Sequence, residues 1–216
     1  MVLNYKEIPF TTVWEIHATV EAAAKSIGAA ATGKKPNGDP FYTVPILQNP
    51  NTGDVVSDST AIDEYLDRAF PDTPKVNPAE YEALQKTFRE TYSPKILTLI
   101  LETLPETFKA VPARDQEYLT VRWKDYLGER LPDGKTRDEG WKDLEKGFDE
   151  LDSWLKERGV SLTGDKPLMD LHFEIAAILL FSRSNLGENS QKWKEVASWN
   201  NGRWNAIAAE LEKYAK

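Results

Sequence analysis

Apolar positions follow two different regimes along this chain. Up to about residue 70 they come as short β-rich runs alternating with helical patches. Phe10–Ile16 predicts a strand and Thr19–Ile27 a helix; Val44–Gln48 and Val55–Ser57 predict strands around a Pro-Asn-Thr-Gly turn, and Ser59–Phe70 a further helix. In that helix Ile62, Tyr65, Leu66, Ala69 and Phe70 recur at helical spacing and make one apolar face. After residue 78 every long segment has the helical period. Tyr81, Leu84 and Phe88 share a face, and Trp141, Leu144, Phe148, Leu151 and Leu155 follow a heptad-like pattern. The stretch around 168–183 is apolar on all sides at its centre, as a helix buried inside a bundle must be. Between the regimes lies PDTPKVNP, residues 71–78, whose prolines and polar residues read as a linker. The pattern thus predicts an α+β unit over residues 1–72 followed by an all-α helical bundle over 79–216, with no internal repeat.

Composition narrows the function classes. At 40% hydrophobic and 29% charged residues, with seven Trp, eight Tyr and eight Phe, the 216-residue chain has the means to fill a sizeable core. A formal charge of −8 argues against a nucleic-acid surface, which needs a clustered basic footprint, and against anionic membranes. The absence of cysteine excludes disulfides, a thiolate nucleophile and thiolate metal sites. His17 and His172, far apart in sequence, make a poor metal set, so no metal is expected; His172, in an apolar helix, reads as a hydrogen-bonded core residue. The longest apolar run, IAAILLF at 175–181, is too short to span a bilayer, and no signal-peptide pattern opens the chain, which predicts a cytoplasmic protein.

The chemistry concentrates between Phe41 and Pro74. Pro45 cannot donate a ladder hydrogen bond, so at a strand entrance it marks an edge, a bend or a cis peptide. Asp58 stands between Ser57 and Ser59 where strand becomes helix. Such a step suits a ligand bearing both an ammonium and a carboxylate: free amides and a hydroxyl at the helix start receive the carboxylate, and Asp58 receives the ammonium. The γ-glutamyl end of glutathione has that chemistry. The same residues also admit a plainer reading, with Asp58 and Ser59 as an N-cap and its neighbour and Pro45 as an edge proline.

VPIL, the following TG, VVSDSTAIDEYLD and the closing PDTP resemble the second half of the glutathione-binding domain of glutathione transferases. LNYKEIPFTTVWEI, ATGKKPNGDPFYTVPIL and EVASWNNGRWNAIAAELEKY are most similar to fungal, basidiomycete-type cytosolic members, so the likeness runs over nearly the whole chain. The resemblance implies a thioredoxin-like N-terminal domain followed by an all-α C-terminal domain. It implies that Val44–Pro45 is cis, that the Val44 backbone pairs with the cysteinyl part of glutathione, and that Asp58 and Ser59 bind its γ-glutamyl group. Glutathione would then be the co-substrate for conjugation or thiol transfer on a hydrophobic, aromatic electrophile held in a cleft between the domains, with Phe88, Tyr92 and Leu99 as candidate wall residues that read equally well as core. A homodimer and a role in detoxification are implied as well. The alternative is a non-catalytic glutathione-, ligand- or partner-binding protein on the same fold.

Two departures stand out. The family's thiolate-stabilising Ser or Tyr lies on a strand–turn–helix, whereas Met1–Lys6 resembles the end of that first helix. The N-terminal domain is therefore expected to be incomplete, no catalytic residue is assigned, and the 216-residue chain is expected to be weakly active or inactive. Tyr5 and Tyr42 have hydroxyls, but nothing in their spacing favours catalysis over packing; Lys34 and Lys35 read as solvated loop residues before they read as partners of the glycine carboxylate of glutathione. In the second domain, Asp170 is kept from the family's capping box, but Pro167 stands where the Ser or Thr belongs and cannot form the reciprocal cap.

Overall fold

The helical spacing after residue 78 becomes a bundle in the computed structural model, which describes residues 1–35, 37–113, 115–117, 119–121, 133–164 and 168–215. Its helices are α4 (Glu82–Thr87), a π-helical turn at Phe88–Tyr92 leading into α5 (Ser93–Ala110), α6 (Arg137–Glu157), α7 (Asp170–Leu186) and α8 (Gln191–Leu211). α7 is the core: Leu171, Ile175, Ala176 and Leu179 have no exposure, and α5 and α8 pack on either side. The heptad-like residues of α6 face inward. Phe148 is fully buried, with ring centroids 5.0 Å from Trp204 and 5.5 Å from Trp199. α8 breaks at Trp199–Gly202, where Asn200 and Asn201 take positive φ, a conformation Asn tolerates better than most residues. The Asn200 amide donates to Asp149 on α6 at 2.7 Å.

Before the linker lie α1 (Val2–Tyr5), α2 (Val20–Ser26), an antiparallel pair β1 (Gly33–Lys34) and β2 (Pro40–Phe41), an antiparallel hairpin β3 (Ile46–Gln48) and β4 (Val55–Ser57), and α3 (Ser59–Ala69). The apolar face read on α3 is real: Ile62, Tyr65 and Leu66 are buried against Leu47 and Val56 of the hairpin and Val2, Leu3 and Ile8. The Tyr65 hydroxyl donates to Asp54 at 2.9 Å and accepts from Asn49 at 2.8 Å, tying the hairpin turn to the helix. Gly53 in that turn has φ 80°, a conformation open to glycine without strain.

The expected strand at Phe10–Ile16 does not form. The segment is irregular, with Val13 79% and Trp14 88% exposed. β-propensity makes a strand only where a neighbouring strand supplies hydrogen bonds. Among the described residues none pairs with this segment: β1 pairs only with β2, and β3 only with β4. The β1–β2 pair, which takes in Lys34, was not foreseen, and Lys35 forms an ion pair with Glu21 at 2.7 Å rather than standing free in solvent.

His172 is the satisfied core residue its setting suggested. Nδ1 accepts from the Met169 amide at 3.0 Å, which leaves the Nε2 proton to be donated to the Ser161 carbonyl, also at 3.0 Å. Burial lowers its pKa and keeps it neutral. His172 thereby caps the first turn of α7; Pro167 lies outside the described residues. The linker is fastened at both ends. Asp67 on α3 accepts from the Val76 and Asn77 amides and pairs with Lys6 Nζ at 2.5 Å, while the Asp170 amide donates to the Val76 carbonyl at 2.9 Å.

Candidate functional site

Antiparallel pairing does the first work at the site. Ile46 of β3 faces Ser57 of β4, so Val44–Pro45, just before Ile46, and Asp58–Ser59, just after Ser57, arrive at the same end of the hairpin. All four residues are exposed. The Val44–Pro45 peptide is cis. β3 has no second neighbour among the described residues, so its outer edge keeps backbone donors and acceptors for an extended ligand.

Asp58 is the N-cap of α3, with Oδ1 accepting from the Thr60 amide at 3.0 Å and the Ala61 amide at 3.2 Å. The plainer reading of this residue is therefore realised, yet it leaves much over. Asp58 sits at φ 82°, ψ 133°, a strained backbone for a residue with a Cβ; such strain costs on the order of 1–3 kcal/mol and clusters at ligand-binding sites. Oδ2 and the Ser59 amide make no hydrogen bond among the described residues. The end of α3 thus offers a carboxylate oxygen, a hydroxyl and a free N–H at a positive helix terminus, a combination that receives an ammonium and a carboxylate together.

Polar residues spaced one turn apart also lie on three helices around Asp170. On α3, Asp63 follows Ser59 by a turn; on α7, Glu174 follows Asp170; and Ser93 follows Arg89 where the π turn meets α5. Asp63 hydrogen-bonds to Asp170, which pairs with Arg89 at 3.1 Å. One turn along, the Ser93 hydroxyl donates to Glu174 Oε1. Burial, opposed by the Ser93 hydrogen bond, raises the Glu174 pKa; Asp170 and Asp58 add to the rise and Arg89 opposes it. Motif reading missed these residues. The available signal was polarity on apolar faces: Asp63 stands between Ile62 and Tyr65, and Glu174 between Phe173 and Ile175.

Asp63 carries a consequence for pH. Its carboxyl is pushed up to about 9, chiefly by burial, then by its hydrogen bond with Asp170 and the charges of Asp170 and Asp67, with the Met1 α-amine opposing. At neutral pH it keeps its proton and donates to Asp170. The folded chain thus holds a proton that the unfolded chain releases above about pH 4. This contribution to stability is full below that pH, is lost as pH rises toward 9 with a slope of at most about 1.4 kcal/mol per unit, and is flat beyond. Asp63→Asn keeps a donor toward Asp170 and is expected to abolish the slope. Thermal melts across this range check it; an unchanged pH dependence would assign the proton elsewhere.

The proposed electrophile wall is corrected in two places. Phe88 and Leu99 have no exposure; they belong to the core cluster of the bundle rather than to a cleft. Tyr92 is partly exposed and stacks on Trp154 at 4.7 Å. It lines an open cavity of about 390 Å³ on α6 whose other residues, Lys146, Asp149, Glu150, Ser153 and Glu157 besides Trp154, are mostly charged and include none of the four hairpin-end residues.

Residues 1–69 match the family model of the glutathione S-transferase N-terminal domain, and residues 83–214 that of the glutathione S-transferase C-terminal domain. This chain belongs to the glutathione S-transferase family. Its N-terminal part is thus the family's thioredoxin-like domain and its larger C-terminal part the helical one. Among solved structures it is similar to the glutathione transferase GSTFuA3 of Phanerochaete chrysosporium, with 34% identity over 99% of this chain and 86% of that one and a TM-score of 0.87. It is also similar to the glutathione S-transferase CsGST63524 of Ceriporiopsis subvermispora, solved in complex with glutathione, with 32% identity, 99% and 87% coverage and a TM-score of 0.87. CsGST83044 of the same fungus, likewise solved with glutathione, is 29% identical over 98% of this chain and 88% of that one, with a TM-score of 0.83. No curated protein matches the chain. No helix among the described residues is long and apolar enough to cross a membrane, and no described group of His, Asp or Glu gathers as a metal site.

Proposed function

We propose that this protein binds glutathione at the end of the β3–β4 hairpin and acts on small hydrophobic electrophiles by conjugation or thiol transfer. One observation carries the reading: the register that sets Ile46 opposite Ser57 brings the free edge at Val44–Pro45 and the strained cap Asp58–Ser59 to one exposed rim. The glutathione complexes of the two Ceriporiopsis subvermispora transferases support it. The Val44 backbone holds the cysteinyl unit as a short antiparallel strand, the Ser59 amide and hydroxyl take the γ-glutamyl carboxylate, and Asp58 takes the ammonium. Pro45 removes a competing donor at the edge. An aromatic electrophile, detoxification, a cytoplasmic location, a fungal source and a homodimer complete the proposal. Non-catalytic glutathione binding is the second reading. It is favoured by the rings of Tyr5 and Tyr42 serving in packing: Tyr5 packs on Phe173 and Tyr214, and Tyr42 lies under Lys25.

Titration calorimetry with glutathione tests the binding. Asp58→Ala is expected to weaken affinity by ~1–3 kcal/mol, the range for a lost charged hydrogen bond. Asp58→Asn, which keeps a capping oxygen and tolerates positive φ, should also weaken it. Wild-type affinity in both variants would reduce Asp58 to a helix cap. Turnover of a generic aromatic electrophile then separates enzyme from binding protein.

A further inference from the structure

We propose that Asn201 is a site of covalent self-modification: its side-chain amide is lost through a succinimide formed with Gly202, and the product loosens the break in α8.

The chain has two Asn-Gly pairs, Asn37–Gly38 and Asn201–Gly202. In such a pair the glycine nitrogen reaches the asparagine Cγ readily, because glycine puts no side chain in the path. The structure sets the two pairs apart. Asn37 is held by both ends of its amide: Nδ2 donates to Asp39 Oδ2 at 2.8 Å and Oδ1 accepts from the Asp39 amide at 3.1 Å. The attacking nitrogen is engaged as well, since the Gly38 amide donates to the Lys35 carbonyl at 2.8 Å. All of these bonds must open before the reaction starts there. Asn201 is exposed, and no hydrogen bond holds its side chain among the described residues.

Inside an intact helix an Asn-Gly pair is protected, because each amide is tied to the carbonyl four residues back and the dihedrals are fixed. α8 gives up those dihedrals at this pair. Trp199 is extended at ψ 144°, and Asn200, Asn201 and Gly202 have φ of 51°, 60° and 78°. Left-handed backbone is costly for a residue with a Cβ, so Asn201 loses little by turning about ψ toward the geometry of attack. There is room for the turn. Beyond its helical neighbours, the nearest atom that a Cβ on Gly202 would meet is the Ala197 carbonyl oxygen, at 3.6 Å.

The Gly202 nitrogen forms a bond to Asn201 Cγ, the Cγ–Nδ2 bond breaks, and the Gly202 amide proton leaves with Nδ2 as ammonia. Water then opens the imide. Opening at the side-chain carbonyl gives aspartate. Opening at the main-chain carbonyl gives isoaspartate, whose side-chain methylene has become part of the backbone. Both products carry a new carboxylate. The surroundings make this costly. Asn200 donates to Asp149 at 2.7 Å and accepts from Trp204 Nε1, while Arg203 pairs with Asp152 at 2.5 Å. A longer backbone between Asn200 and Arg203 does not keep both anchorages, and a carboxylate at 201 stands one residue from the contact with Asp149. Trp199 and Trp204 both pack on Phe148, so the disturbance reaches the core.

The test incubates the full chain at mildly alkaline pH and body temperature. Peptide mapping by mass spectrometry follows each pair, and enzymatic methylation of isoaspartyl groups identifies the isomer. Asn201 is expected to convert about tenfold or more faster than Asn37, the factor set by the hydrogen bonds that Asn37 and Gly38 must first open. The converted chain, separated by ion exchange, should melt a few degrees below the unconverted one. Asn201→Gly suits positive φ and has no side-chain amide, so it should keep both its mass and its melting point through the same incubation. The separated wild-type fractions carry the comparison if that variant does not fold. An Asn201 that stays intact, or converts no faster than Asn37, overturns the site. Equal melting of converted and unconverted chain overturns its effect on the break.

Discussion

Lys6→Ala is expected to lower stability by about 3–5 kcal/mol, the cost of breaking a buried ion pair and leaving its partner uncompensated. Lys6 is 2% exposed, an extreme for lysine, and it is fully used: Nζ pairs with Asp67 at 2.5 Å and donates to the Thr73 hydroxyl at 3.1 Å and the Pro74 carbonyl at 2.9 Å. Asp67 in turn holds the Val76 and Asn77 amides. The cluster joins the end of α1, the last turns of α3 and the linker. Its loss leaves the Asp67 charge with amide donors only and frees the segment that anchors α3 at the end opposite Asp58. Urea unfolding monitored by tryptophan fluorescence measures the cost. A drop under about 1 kcal/mol would show that Asp67 is adequately satisfied by the linker amides alone. Glutathione affinity should fall in the same variant, because α3 carries the cap.

Phe148→Ala is expected to cost about 3–5 kcal/mol, the range for a fully buried aromatic residue truncated in a core that cannot collapse. Phe148 has no exposure and packs on Trp199, where the break in α8 begins, and on Trp204, just past it. Those indoles are held by their own contacts, Trp199 by Trp141 at 5.5 Å and Trp204 by a hydrogen bond to Asn200, so they are poorly placed to fill the gap. Calorimetric melting should show the loss, and near-ultraviolet circular dichroism should show the tryptophans losing their fixed environment. Phe181→Ala is the control: Phe181 lies on the neighbouring helix at 42% exposure and should stay within about 1 kcal/mol of wild type. Equal losses in the two variants would mean that the core read around Phe148 is not where the stability lies.

The two carboxyl groups at the domain interface show what motif reading passes over. Asp63 and Glu174 belong to no recognisable signature, and each looks like an interruption of an apolar face. Their meaning comes from a partner on another helix, Asp170 for the first and Ser93 for the second. Val44, Pro45, Asp58 and Ser59 could be named in advance because each has a local cue: a proline at a strand entrance, or an acid beside hydroxyls at a helix start. Between a ligand wall and the core for Phe88 and Leu99, the core reading holds, and the sequence could not choose for the opposite reason. Helical spacing tells which face of a helix is apolar, not whether a neighbour or a cleft lies against it.

The sequence by itself determined the elements whose causes are local. The bundle after residue 78 and the apolar face of α3 follow from residues three and four apart, so Leu144, Phe148, Leu151 and Leu155 were legible as one buried stripe. The hairpin is equally local, with its turn at Asn49–Gly53 joining adjacent strands. Only the tertiary structure decided the rest. The run from Phe10 to Ile16 has the residues of a strand, yet strand formation depends on hydrogen bonds from a neighbour distant in sequence, and none of the described residues supplies them. The meeting of the helical domain with α3 is likewise non-local: Asp170, itself paired with Arg89, reaches Asp63, and no residue's neighbours in the chain record that arrangement.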